Sequence, residues 1–379
     1  MRPFPTEQQE LLLQAAFLQG DLALQAWRAW LSQTDLDSID RESFQLLPQL
    51  YRNLSHLSPD GDELPKLKGI YRHAWAQNQV SLHQIIPLLQ TLQENRIDFL
   101  LLNGAAMILL HLSDYGHRLL SNISIFVRVN QVRAAFRVLR NNDWQPASPL
   151  SAESLRQVTP ARGSIGFSNR ENQAKLTLYW HLYPDIQHLQ SNSQLLHYAI
   201  REKLHHVPLK VINPTDHLMY LCVSGFKYKR LAPLHWITDA IIVTNRASTI
   251  IDWERLIIQA MGCRFFLPLQ ETLLYLSENY HVLIPPEILK SMERLATLVS
   301  DYKSRAGKSQ ISVLTAGRFI WFLNSHLAEQ TSWLRMMIRF PQFLQHYWGL
   351  IYPGQIPFTI LKKVLQTIRY GWSCEHPQN

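Results

Sequence analysis

The chain has little cysteine: three in 379 residues. Cys222, Cys263 and Cys374 lie far apart and are odd in number. That excludes a disulfide framework and any zinc-finger spacing, and makes a reducing, cytoplasmic setting the expectation. Long apolar runs are also missing, since no window reaches the eighteen or more uncharged apolar residues of a membrane span. The opening Met1-Arg-Pro-Phe-Pro-Thr-Glu lacks the apolar region of a secretory signal. Charged residues are scarce, at 17% against 46% hydrophobic, which argues against disorder and for a large core in two or three packed subdomains. No internal repeat or low-complexity segment occurs. Gly-x-Ser-x-Gly is absent as well, so neither Ser164 nor Ser224 sits in a nucleophile elbow.

What charge there is falls unevenly. The net charge is +8, and between Lys290 and Asn379 eleven bases against four acids leave +7. This excess either forms a solvated basic face or meets an anionic partner: a phosphate-bearing ligand, a protein or a membrane surface. The same region interleaves Trp321, Trp333, Trp348 and Trp372 with Arg335, Arg339, Lys362 and Lys363. Such a stripe packs as core or lies on a surface. The sixteen histidines, His111, His117, His205, His206 and His235 among them, form no ligand pattern with Cys or Glu, so no metal site is expected from them.

Pattern divides the chain into three. Residues 1–95 form a helical N-terminal arm. Thr6-Glu-Gln-Gln9 is a capping box before an apolar helix, Glu10 to Leu18. A second helix turns Trp27, Trp30 and Leu31 inward, and Phe44 to Leu57 reads as a third. Glu63 to Asn95 reads as one long helix, with Pro65 tolerated in its first turn and Pro87 as a kink or boundary. Residues 96–212 form an α/β core. Its expected strands are Ile97–Leu102, Ile123–Val127, Ser164–Ser168 and Lys175–Leu182, with helices over Ala105–Leu112 and Gln131–Asn141. Pro146 to Pro160 is the candidate mobile connection. Residues 213–379 form a helical C-terminal domain, with helices at Asp216–Arg230, Leu234–Arg246, Asp252–Met261 and Phe265–Tyr280.

The organising stretch runs from Phe99-Leu-Leu-Leu-Asn103-Gly104-Ala-Ala to Arg118-Leu-Leu-Ser121-Asn122-Ile123-Ser124. Strand, Gly turn, helix and strand make the start of an α/β sheet with a site at its rim. This frame resembles the bacterial uncharacterised-nucleotidyltransferase families of the polymerase-β-like superfamily. Those families read Lys-Gly-Ala-Ala, then Arg-x-x-Ser-Asp-Ile-Asp. Thr177-Leu-Tyr-Trp180 stands where the family has a pattern like Glu-Leu-His-Trp, and Leu234-His-Trp-Ile-Thr-Asp239 resembles its Leu-x-Trp-x-x-Asp segment. The resemblance covers roughly residues 40 to 280. It implies an α+β fold, with a nucleotidyltransferase-like mixed sheet between the two helical regions.

The resemblance also implies a metal site at Asn122, Ser124 and Thr177, where the family has carboxylates that hold Mg²⁺. All three residues are neutral here, so the expectation is a degenerate catalytic site, no resident metal or cofactor, and a binding or scaffold role with a nucleotide or protein partner. The alternative is an active nucleotidyltransferase that moves a nucleoside monophosphate from a nucleoside triphosphate to an acceptor. In that case Mg²⁺ would be held by rearranged ligands, with Asp114, Glu171 and Asp185 as the nearby acids. Asn103, Gly104, Arg118 and Ser121 are the candidate ligand-binding residues. The Gly turn exposes backbone N–H groups that suit phosphate, or it is simply a strand-to-helix turn. Arg118 contacts a phosphate or pairs with Asp114. Asp239 has Lys227 or Arg230 as candidate partners for a structural ion pair.

Overall fold

A computed structural model of the chain describes residues 4–57, 62–112, 114–147, 163–183, 191–227, 232–263, 265–306, 333–348, 350 and 352–362. The candidate connection beyond Ala147, as well as Asp185 and Arg230, lies outside the described residues.

The sheet grows from two strands with no polar face. In β1 (Phe99–Leu102) and β2 (Ile123–Val127) every residue is buried, Ser124 included. Strands covered on both faces sit in the middle of a sheet, and these do. The two run antiparallel, with Leu101 opposite Ile125 and Leu102 opposite Ser124. On the far side of β2 lies β5 (Lys175–Tyr179), parallel to it, with Ser124 opposite Thr177. The remaining strands are β3 (Trp144–Pro146), β4 (Ser164–Asn169), β6 (Ile200–Leu204) and β7 (Val207–Val211). The seven form one mixed sheet in the order β3-β4-β5-β2-β1-β7-β6. All four expected strands lie in it. Lys175–Leu182 is shorter than expected and ends at Tyr179.

Helices precede and follow these strands. α1 (Glu7–Phe17) opens with the expected capping box, Thr6 and Gln9 each closing on the other's backbone N–H. α2 (Gly20–Leu31) buries Trp27 and Trp30, stacked 5.4 Å apart. The single helix expected over Phe44–Leu57 is two, α3 (Arg41–Phe44) and α4 (Leu47–Leu54). Asp40 caps the first through the Glu42 and Ser43 amides, and Pro48 fits the first turn of the second, where no N–H is needed. α5 (Glu63–Glu94) is continuous through Pro87. It buries Leu67, Ala74, Asn78, Leu82, Ile85 and Leu89 on one stripe and leaves a polar stripe outside. α6 (Asn103–Leu110) follows β1 directly, and α7 (Val132–Asn141) turns Ala135, Phe136 and Leu139 inward. Among these helices α5, α6 and α7 touch the sheet.

After a short helix, α8 (Ser191–His197), and the β6–β7 hairpin, the described chain is helical, as expected. α9 (Pro214–Cys222) runs into a π-helical turn over Val223–Lys227. α10 (Pro233–Ala247), α11 (Trp253–Gly262), α12 (Phe266–Tyr280), α13 (Pro286–Ala306) and α14 (Trp333–Trp348) follow. In α14, Phe343 and Leu344 are buried, Phe340 stacks on Phe343 at 6.2 Å, and Ile338 is 69% exposed. No helix among the described residues is long and apolar enough to cross a membrane.

The chain forms two compact units. One holds residues 1–187, 198–251 and 271–284, and so contains the whole sheet. The other holds residues 188–197, 252–270 and 285–379.

Candidate functional site

The rim of the sheet where β1 ends and β2 and β5 begin carries a seam of neutral polar side chains. Asn122 stands just before β2, and its Nδ2 donates to Thr177 Oγ1 on β5 at 2.6 Å. Asn103 stands just after β1, and its Nδ2 donates to Ser124 Oγ at 3.2 Å. The parallel register explains the first contact, and the antiparallel register opposite Leu102 the second. Asn103 has φ +51°, a left-handed turn that Asn tolerates better than most residues. Its Oδ1 is buried without a hydrogen-bond partner among the described residues. Ser121 is exposed and reaches Asn122 Oδ1 at 3.4 Å. The structure thus brings together Asn103, Ser121, Asn122, Ser124 and Thr177.

Gly104 and Arg118 belong to a second, buried cluster. Arg118 forks onto Asp239 of α10, with Nε to Oδ1 at 2.8 Å and Nη2 to Oδ2 at 2.9 Å. The expected pairing of Arg118 with Asp114 gives way to this one, while the Lys227 side chain and Arg230, the candidate partners of Asp239, lie outside the described residues. Asp239 is the better match for Arg118 because a planar guanidinium and a carboxylate meet in two parallel bonds. Gly104 makes room for it: an added Cβ would run into Arg118 Nη1 and Leu120 Cδ2. Asp114 is taken up elsewhere. It accepts from Tyr71 Oη at 2.5 Å and lies 3.6 Å from Arg52 Nη1 and 3.4 Å from His117 Nε2. These contacts and the Gly116 amide hold its carboxyl below the usual range although burial opposes them.

Three histidines surround the Arg118–Asp239 pair. Burial holds His111 and His235 down to about 4 and His217 well below its ordinary value. Asp239 opposes the shift at His111 and His235, while Arg118 reinforces it at His217 and His235. His111 Nε2, His235 Nε2 and both His217 nitrogens have no hydrogen-bond partner among the described residues. All three imidazoles are therefore neutral at pH 7.

Sequence reasoning missed two features of this region. The first is Asn78, fully buried on the inner stripe of α5. Its Oδ1 accepts from Leu120 N at 2.9 Å, and its Nδ2 donates to Tyr115 O at 2.6 Å and Arg118 O at 2.5 Å. One side chain thus holds the loop that delivers Arg118 to its cluster and Asn122 to the rim. The signal was a lone amide on an apolar stripe between Ala74 and Leu82.

The second is a cleft of about 650 Å³ beside the seam. One wall is the outer stripe of α5, with His73, Gln77, Ser81 and Gln84. The other is Ser121, Asn122 and the β4–β5 turn with Asn172, Gln173 and Lys175. Among the described residues no acidic side chain lines it. Nor does any group of three His, Cys, Asp or Glu among the described residues have the arrangement of a metal site. Glu171, in the same turn, is exposed and outside this lining.

A family model described as "Uncharacterised nucleotidyltransferase" matches residues 42–281, which takes in the sheet, the seam, the cleft and the Arg118–Asp239 pair. No curated protein matches the chain.

Proposed function

Because this chain belongs to the uncharacterised nucleotidyltransferase family, we propose that it is a degenerate member, which binds a ligand or a partner protein and transfers no nucleotide. The observation that carries this reading is the neutral seam. Metal-dependent nucleotidyl transfer needs carboxylates that hold Mg²⁺ against a triphosphate and activate the attacking oxygen. At the rim, the donors are the amides of Asn103 and Asn122 and the hydroxyls of Ser124 and Thr177, and they bond to one another. A hard divalent ion would have to break those bonds and would gain no charge neutralisation in return. This donor set does not fit Mg²⁺. Asn122 and Ser121 face the cleft and are the ligand contacts of this reading, whereas Arg118 and Gly104 support the rim from behind. Rearranged metal ligands find no support in Asp114, which is engaged with Tyr71, or in Glu171, which stays outside the cleft lining.

The test is transfer itself. The protein would be incubated with each α-labelled nucleoside triphosphate and Mg²⁺ or Mn²⁺, with and without cell extract as acceptor, while pyrophosphate release is followed. The expected result is no release above a buffer control. Metal-dependent release that N122A abolishes would overturn the reading and establish an active enzyme.

A further inference from the structure

The composition of the cleft defines what it can hold. An anion site built around a metal needs acidic side chains to fix the metal. An anion site without metal needs cations and N–H donors, and any acid in it repels the ligand. The described lining is of the second kind. Lys175 is its one side chain of fixed charge, and no acid stands with it. Lys175 lies two residues before Thr177 on the same face of β5, which sets it at the mouth of the cleft beside Asn122. Across from it, α5 presents His73, Gln77 and Gln84 at helical spacing, all able to donate N–H. Gln84 Nε2 reaches Asn172 O at 3.3 Å, so the two walls touch at one end. Ile85, Leu120 and Ile123 supply apolar contact for an uncharged part of a ligand. A volume of about 650 Å³ lies within the roughly 300–1,000 Å³ of small-molecule sites.

We propose that this cleft binds a small phosphate-bearing molecule directly, with no divalent ion between ligand and protein. Lys175 is the cationic anchor, and the amides of Gln77, Gln84 and Asn122 are the neutral donors. Phosphate suits this wall better than a carboxylate, because its three terminal oxygens can accept from donors on both sides at once. The inference rests on the reading of the rim as free of metal.

Calorimetric titration of the full chain tests it, with ATP and with inorganic pyrophosphate as probes, citrate as a carboxylate control, and either EDTA or Mg²⁺ throughout. Both phosphate probes should bind in EDTA, and no more tightly in Mg²⁺, because the ion neutralises the charge that Lys175 recognises. Lys175 is exposed, so K175Q keeps the fold, and it should weaken binding about tenfold, the size of one charge-assisted hydrogen bond. Two results would overturn the inference and leave the metal-free rim standing: no binding by either probe, or equal binding by K175Q, as expected if the anion goes to the basic C-terminal region instead. Citrate binding alone would overturn the phosphate assignment. Binding that appears only with Mg²⁺ would sink both the inference and the degenerate reading.

Discussion

Arg118 and Asp239 are 121 positions apart, and no local pattern could pair them. The sequence offered Arg118 an acid four residues away, reasonable by spacing. Geometry chose otherwise because both side chains reach the interior, where a half-satisfied charge is costly. The three histidines around the pair follow from the same burial and make stability depend on pH. Their folded pKa values are depressed, so above about 6.5 both folded and unfolded chains hold them neutral. As pH falls below that, the unfolded chain takes up protons that the folded chain refuses. Stability is therefore complete above pH 6.5 and is lost on the way down to about 4. For His111 and His235, each held at about 4, linkage gives a loss of about 2 kcal/mol apiece at pH 5. Urea unfolding at pH 7, 6 and 5 checks this. H235Q should have a shallower dependence than the parent, and an identical slope would mean that this imidazole titrates freely in the fold.

At the scale of elements, β1, β2, β5 and α6 were legible because their signals are local: a continuous apolar run, a period of two, a Gly turn. So were the long α5 and the helices after Pro214. The β6–β7 hairpin was missed. Pro208 lies inside β7, and a proline within a short run argues against a strand in the middle of a sheet. It is tolerated because the register of β7 against β1 is confined to Leu101 opposite Val211, leaving Pro208 beyond the end of β1. The seam was legible only in part. Spacing put Asn122 and Ser124 on one face, but the bonds to Thr177 and Asn103 depend on strand order. That order supports a prediction. In N122D/S124D/T177E, three carboxylates would meet where neutral groups now bond. They should repel, lowering the melting temperature in EDTA, and Mg²⁺ should restore part of the loss by binding the folded state. The parent should not respond. Equal responses of both proteins in a thermal melt would mean that these positions cannot be made into a metal site.

At the scale of the molecule, the sheet-bearing unit is assembled from three separate stretches of chain, and its last one, residues 271–284, returns to its first helix. Tyr275 and Tyr280 on α12 both donate to Glu10 on α1, at 2.6 and 2.5 Å, across 265 and 270 positions. Phe4 packs on Tyr275 at 4.8 Å, and Phe17 meets the Tyr280 ring edge-on at 6.4 Å. Both phenols are held above their ordinary pKa, first by burial, then at Tyr275 by the Glu10 carboxylate and at Tyr280 by Tyr275 and that carboxylate. One acid thus satisfies two part-buried hydroxyls and closes the unit on itself. Nothing near Glu10 in sequence marks it for this, since in the first turn of α1 it reads as an ordinary acidic residue at a helix N-terminus. Removing the carboxylate would leave the two phenols with only each other among the described residues, 3.1 Å apart, so at most one keeps a protein acceptor there. E10A should therefore cost about 2–4 kcal/mol, the sum of one stranded hydroxyl and the lost charge-assisted bonds. Y275F/Y280F removes the same bonds but strands no buried donor, so it should cost less than E10A. Adding E10A to that double variant should cost little more. A double-mutant cycle by urea unfolding measures this directly. Strong coupling between Glu10 and the tyrosine pair is the expected outcome. Additive effects would mean that the hydroxyls find other partners and that the ring contacts, not the carboxylate, hold the first and last stretches of this unit together.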